Sequence, residues 1–143
     1  MQGWGIAREP MSAKDAEQKS PLALAFIGDT VWDLLVRRQL LDTSARVNAL
    51  HRQATARVNA GVQAQALNRL EPLLTEEERA LVRRGANAHC GHVAPRNQDP
   101  VDYRRATGLE ALLGWLYLCG RQERIAELFD CAFPTGTDAN SAT

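Results

Sequence analysis

The chain has 143 residues, 45% of them hydrophobic, with 17 Lys and Arg balancing 17 Asp and Glu. That is the length of one domain able to bury roughly two-thirds of its unfolded surface. The balance excludes a globally basic nucleic-acid binder, and no apolar run approaches the roughly 20 residues that cross a bilayer. The N-terminus lacks a basic segment followed by an apolar stretch and a small-residue cleavage site, so a soluble, cytoplasmic protein with no membrane partner is expected. Cys90, Cys119 and Cys131 are an odd set without a CxxC pair, which fits reduced thiols.

Residues 1–19 read as a flexible tail, and so do residues 133–143, where PTGTDANSAT lacks apolar content. Between them lies one domain, 20–132, with helical periodicity and no strand alternation. Ser20-Pro21 supplies an N-cap and a proline at the first helical position. The helix so opened runs to about Leu41, with Ala23, Phe26, Ile27, Val31, Leu34 and Leu35 predicted on one face. Ser44 can cap a second helix carrying Val47, Leu50, His51 and Ala54. A third carries Val58, Val62, Ala66, Leu67 and Leu70, and Pro72 closes it. Thr75 and Glu78 form a capping box ahead of Leu81 and Val82. The stretch GANAHCGHVAPRNQ, 85–98, has no period and reads as a long loop, the kind that tends to carry function. Asp99-Pro100 starts a helix that ends near Cys119 and Gly120, and RQERIAELFDCAF forms the last one. The fold class is all-α, a helical bundle.

Asp29 and Glu110 sit inside the apolar stretches LALAFIGDTVWDLL and TGLEALLGWLYL. A carboxylate on a mostly buried face costs several kcal/mol, about what a missing partner costs, unless it is paired, protonated or bound to a cation. Gly28, Gly108 and Gly114 each cost roughly 1 kcal/mol relative to alanine inside a helix, a cost accepted where backbones approach closely. The glycines therefore predict that the two acid-bearing helices pack together and share a metal ion. Fifteen of the cationic residues are arginines, and twelve of them cluster as Arg37, Arg38, Arg46, Arg52, Arg57 and Arg69, then Arg79, Arg83, Arg84, Arg96, Arg104 and Arg105. Guanidinium suits bidentate phosphate contacts, while the plainer reading is a solvated arginine-rich surface.

The run LALAFIGDTVWDLLVRRQLL, the segment NALHRQATARVNAGVQAQAL, the loop RRGANAHCGHVAPRN and the helix YRRATGLEALLGWLYLCG, in this order, resemble the mini-ribonuclease III group of the ribonuclease III family. The resemblance covers about residues 20–132. It implies an all-helical endonuclease domain, homodimeric, that hydrolyses double-stranded RNA with magnesium to 5′-phosphate and 3′-hydroxyl ends. Manganese suits oxygen ligands too. For the mini form it implies maturation of precursor 23S ribosomal RNA, and a ribosomal protein presenting the substrate is a further candidate partner. The family signature Leu-Glu-Phe-Leu-Gly-Asp stands here as Leu24-Ala25-Phe26-Ile27-Gly28-Asp29. Asp29 thus matches the catalytic aspartate and Glu110 the catalytic glutamate, both also metal ligands. Ala25 and Thr107 stand where full-length members carry two further acids. One well-held ion is expected, with any second arriving with RNA. Because the family's long loop reaches RNA, His89, His92 and Arg96 are expected at phosphates, together with Arg83, Arg84 and Arg104.

Other readings stay beside this one. Asp33, one turn after Asp29, either acts through an outer-shell water or pairs with Arg37. His51 is either a direct participant or a core or rim residue. His89, Cys90 and His92 suggest zinc but lack a clear fourth ligand. Trp32, Leu35, Val36, Trp115 and Leu116 are either a dimer face or a wide core. No residues remain for an appended double-stranded-RNA module, so the catalytic domain is expected to dock RNA itself, by shape. The alternative function is a catalytically weak or inactive RNA-binding helical module acting in ribosome assembly. An unrelated helical phosphohydrolase would want clustered His and Asp ligands, which are absent.

Overall fold

The structure is a computed structural model that describes residues 9–43, 46–88 and 95–133. All regular structure among them is helical: α1 (Ala13–Glu17), α2 (Pro21–Leu40), α3 (Val47–Arg57), α4 (Ala60–Leu70), a 3-10 turn (Glu71–Leu73), α5 (Glu76–Asn87), α6 (Pro100–Leu118) and α7 (Gln122–Ala132). No helix among the described residues is long and apolar enough to cross a membrane. Helix α6 is the axis of the bundle. Every residue from Ala106 to Trp115 except Glu110 is buried, as is Leu116, because a helix apolar nearly all round must be enclosed. Helices α2, α4, α5 and α7 enclose it, with α1 covering one end.

The helix starts follow the sequence signals. Ser20 Oγ accepts from the Ala23 amide at 3.1 Å with Pro21 in the first turn, and Asp99 Oδ1 accepts from Val101 at 2.8 Å and Asp102 at 3.1 Å. Thr75 and Glu78 make both bonds of the capping box, at 2.9 and 3.1 Å. The expected Ser44 cap lies outside the described residues, as do His89, Cys90 and His92. Helix α5 continues to Asn87, so Gly85 is helical rather than the start of a loop. Its Cα faces α6, where an added Cβ would meet Ala111 and the Gly108 backbone.

The inward face of α2 differs from the predicted one. Leu24, Gly28, Val31, Trp32, Val36 and Leu40 are buried, whereas Phe26 is 81% exposed and Leu34 45% exposed. Gly28 decides the rotation, because it is the point of closest approach to α6 and carries the flanking turns inward with it. A Cβ there would overlap the Glu110 carbonyl, and a Cβ on Gly114 would overlap the Leu24 carbonyl. These two glycines form the α2–α6 contact. Gly108 does not join them; it faces α5, where a Cβ would lie 2.6 Å from the Val82 carbonyl oxygen.

Trp32, Val36, Trp115 and Leu116 are buried within the protomer and Leu35 is half-buried against the same core, which favours the wide-core reading over a dimer face. Trp32 donates Nε1 to the Arg57 carbonyl at 2.9 Å, and its ring packs 5.5 Å from both Phe129 and Phe133. Phe133, assigned to the C-terminal tail, is therefore a core residue. The N-terminal tail also shortens. Met11 N donates to the Leu118 carbonyl at 2.8 Å, Ala16 is fully buried, and Trp115 Nε1 reaches the Ala13 carbonyl at 3.2 Å. Residues 9–19 are thus strapped across the end of α6, although their apolar content is low, because backbone hydrogen bonds and the small Ala13 and Ala16 side chains make the attachment. On the far side, Arg124 clamps the buried Glu78 at 2.7 and 2.8 Å. Burial alone would push the Glu78 carboxyl up, but Arg124 and the Thr75 amide together hold it below its usual range.

Gly28→Ala drives a methyl group into backbone that cannot move as a flexible side chain can. We expect a loss of about 3 kcal/mol, the upper end for overpacking, and a Tm lower by roughly 10 °C in a domain of this size. Thermal denaturation of the variant against the parent checks this.

Candidate active site

Asp29 and Glu110 lie on either side of the α2–α6 crossing. Since Gly28 touches the backbone of Glu110, the next residue of α2 is carried to the same level as the Glu110 side chain. Both carboxylates open into one cleft of about 480 Å³. Its wall is completed by Asn59, Ala60 and Gln63 from the start of α4, by Gln98, Tyr103 and Thr107 around α6, and by Leu22, Ala25 and Phe26 of α2.

The two acids are within hydrogen-bonding reach of each other, and Gln63 Nε2 donates to Glu110 Oε2 at 3.3 Å. Burial raises the Glu110 pKa, hydrogen bonding and charge repulsion from Asp29 raise it further, and the Gln63 amide partly offsets both, leaving it at about 8. Two carboxylates so close at neutral pH require a shared proton or a cation. The ligand chemistry is all oxygen, which fits a hard divalent ion that keeps several waters and takes the rest of its shell from a phosphate. Among the described residues no group of three or more His, Cys, Asp or Glu converges, so the cation would rest on this pair alone. The positions that would carry more acid are filled by neutral side chains: Ala25 is buried against the cleft, and the Thr107 hydroxyl donates to the Tyr103 carbonyl at 2.9 Å.

The other residues singled out in the sequence divide sharply. Asp33 pairs with Arg37 at 3.1 Å on the next turn of α2 and does not line the cleft. His51 is exposed on α3, away from the cleft lining. Arg84 donates to the Glu17 carbonyl at 3.1 Å, anchoring the N-terminal strap. Arg83, Arg96 and Arg104 are exposed. Arg96 is two residues from Gln98 and Arg104 adjoins Tyr103, both on the cleft wall. Much of the remaining arginine cluster is structural: Arg57 binds Gln39 Oε1 at 2.7 Å, Arg69 the Ala132 carbonyl at 3.0 Å, and Arg105 pairs with Glu71 at 2.6 Å. Gln63 was not singled out. The available signal was a polar residue in the apolar stripe it forms with Ala66, Leu67 and Leu70 of α4.

The Ribonuclease III domain model matches residues 22–121. A Mini-ribonuclease 3 from Symbiobacterium thermophilum is 49% identical over 113 residues, covering 78% of this chain and 86% of the relative. One from Brevibacillus brevis is 46% identical over 121 residues, covering 84% and 90%. A solved structure of a Fusobacterium nucleatum protein superposes with a TM-score of 0.72 at 30% identity, covering 81% of this chain and 93% of that one. The chain belongs to the ribonuclease III family. Within it, the chain is an endoribonuclease, a hydrolase of the ribonuclease III type, and the two relatives named above are Mini-ribonucleases 3.

A carboxyl whose folded pKa is raised to about 8, well above the ordinary glutamate value of 4.5, contributes stability that is full below the lower value and lost as pH rises through the upper one. In EDTA, the parent's Tm relative to Glu110→Gln should therefore fall between about pH 5 and pH 9, and magnesium at pH 9 should raise the parent's Tm but not the variant's. A pH-independent difference between the two proteins would contradict the assigned environment.

Proposed function

We propose that the cleft holds a magnesium ion between Asp29 and Glu110 and hydrolyses double-stranded RNA, leaving 5′-phosphate and 3′-hydroxyl ends. The observation that carries the reading is the meeting of two carboxylates from separate helices at one opening. When bound, the divalent ion supplies neutralisation of phosphate charge and a lower pKa for the attacking water. Asp29, the more exposed of the two acids, is the ligand that solvent and substrate reach first. Glu110, held from behind by Gln63, fixes the other side. Manganese would serve the same oxygen ligands.

The RNA would lie across the cleft mouth, with Arg83, Arg96 and Arg104 at its phosphates and the His89 and His92 segment as a further contact. Recognition of an A-form duplex by shape and backbone suits a site with few base-reading groups. We assign the substrate to precursor 23S ribosomal RNA in the cytoplasm, with a ribosomal protein as a candidate presenting partner. This reading extends what the resemblance of the sequence to the mini-ribonuclease III group implies, and the Mini-ribonuclease 3 relatives support its nuclease class.

The working unit is a homodimer, each protomer cutting one strand. Its interface is the outer face of α2, where Leu22, Phe26, Leu34 and Leu41 are 40%, 81%, 45% and 64% exposed and recur about one turn or two apart. Large apolar groups left in water along one helix mark an association surface. Phe26→Asp should convert the protein to a monomer in sedimentation analysis while its helical content is kept; a dimer of unchanged affinity would remove this face from consideration.

The thinned set of acids favours a second reading, a non-cleaving RNA-binding module, and one experiment separates them. With magnesium and an RNA duplex, the parent should cleave while Asp29→Asn and Glu110→Gln each lose more than roughly a hundredfold in rate, the scale of removing one electrostatic group from a transition state. Binding without cleavage by all three proteins would support the module instead.

A further inference from the structure

Among the described residues three polar side chains are deeply buried, and two have structural partners: Glu78 is clamped by Arg124, and the Thr107 hydroxyl donates to the Tyr103 carbonyl. The third, Gln63, is 3% exposed and turns its amide toward the cleft carboxylate. Its placement is built from the helix start. Asn59 caps α4 by accepting from the Val62 amide at 3.0 Å, and it ties back to α3 by donating to the Ala56 carbonyl at 2.8 Å. Gln63 is the next residue after Val62, so the fixed first turn of α4 aims it at α6. Behind it, Ala66, Leu67 and Leu70 are buried and hold the helix against α6.

We propose that Gln63 is a positioning residue for Glu110: by holding Oε2 it keeps the carboxylate directed toward Asp29 and ready for a cation, an inference that rests on the two-carboxylate reading above. A flexible glutamate side chain must lose rotamer freedom before it can share an ion, and a fixed donor takes that loss in advance. The residue type is informative. A glutamate here would add a third negative charge to the cleft, and an apolar residue would leave Glu110 Oε2 without its donor; an amide donates without adding charge. Gln63 is thus the only buried amide in the described cleft wall, and the polarity is used on the acid that the function needs.

The test titrates the full chain with manganese alone, without RNA, reading free ion by electron paramagnetic resonance, for the parent, Gln63→Met, Gln63→Glu and Glu110→Gln. Thermal denaturation in EDTA and the magnesium dependence of duplex cleavage are measured on the same preparations. Gln63→Met preserves volume and removes the donor. Its half-saturating manganese should rise roughly three- to tenfold, the weight of one typical intramolecular hydrogen bond, with Tm in EDTA little changed and the cleavage rate largely recovered at saturating magnesium. Gln63→Glu should bind manganese more tightly than the parent. If the parent's manganese affinity is too weak to read without RNA, the shift in half-saturating magnesium for cleavage decides in the same sense. Parental half-saturation in Gln63→Met overturns the proposal, and so does a rate loss that saturating magnesium fails to restore. Glu110→Gln binding manganese like the parent would instead defeat the underlying two-carboxylate reading, whatever Gln63 does.

Discussion

The contact on which the site depends is the close crossing of α2 and α6 at Gly28 and Gly114. Each glycine leaves room for a carbonyl of the opposite helix, so the two backbones meet where any side chain would hold them apart. Asp29 follows Gly28 directly, and Glu110 is the residue whose carbonyl Gly28 touches. The geometry of the proposed site and the core packing are therefore one constraint. The helices cannot separate enough to admit a Cβ without separating the carboxylates.

The surrounding structure serves this crossing. The strap of residues 9–19 covers the C-terminal end of α6 through Met11 and Trp115, and Arg121 lies 4.6 Å over the Trp115 ring. Arg124 draws α7 onto the start of α5 through Glu78 and also bonds the Leu73 carbonyl at 2.9 Å. Arginines that the sequence groups as one basic region thus divide into structural fasteners such as Arg57, Arg69, Arg84 and Arg105 and others that stand exposed. This resolves how a chain of zero formal net charge serves an RNA substrate. Among the described residues, Arg96 and Arg104 are exposed guanidiniums whose sequence neighbours line the cleft.

Much of this was legible in the sequence because it is written in local chemistry. Ser20-Pro21, Thr75 with Glu78 and Asp99-Pro100 satisfy helix N-terminal amides within a few residues, and those helices begin where expected. Asp29 and Glu110 stood out as acids in apolar surroundings, which periodicity alone reveals. The inward face of α2 was not legible, since Phe26 and Leu34 are as apolar as Leu24 and Val36, and only the partner helix selects between them. Gly108 was misplaced for the same reason: a helical glycine signals close approach without naming which neighbour approaches. Phe133 and residues 9–19 were assigned to tails because their attachments run to distant parts of the chain, through Trp32 and through carbonyls that meet α6. Gln63 required the tertiary contact with Glu110 to acquire meaning.

The account reduces to a cation held by two oxygens that a glycine crossing brings together. Family membership supplies the class of reaction, and the cleft is where we propose that this chain performs it. The most direct measurement is anomalous diffraction from a crystal of the protein grown with manganese. The account predicts a peak within coordination distance of the carboxylate oxygens of both Asp29 and Glu110. A peak bound by one of these acids alone, or at a cluster elsewhere while this cleft stays empty, would contradict it.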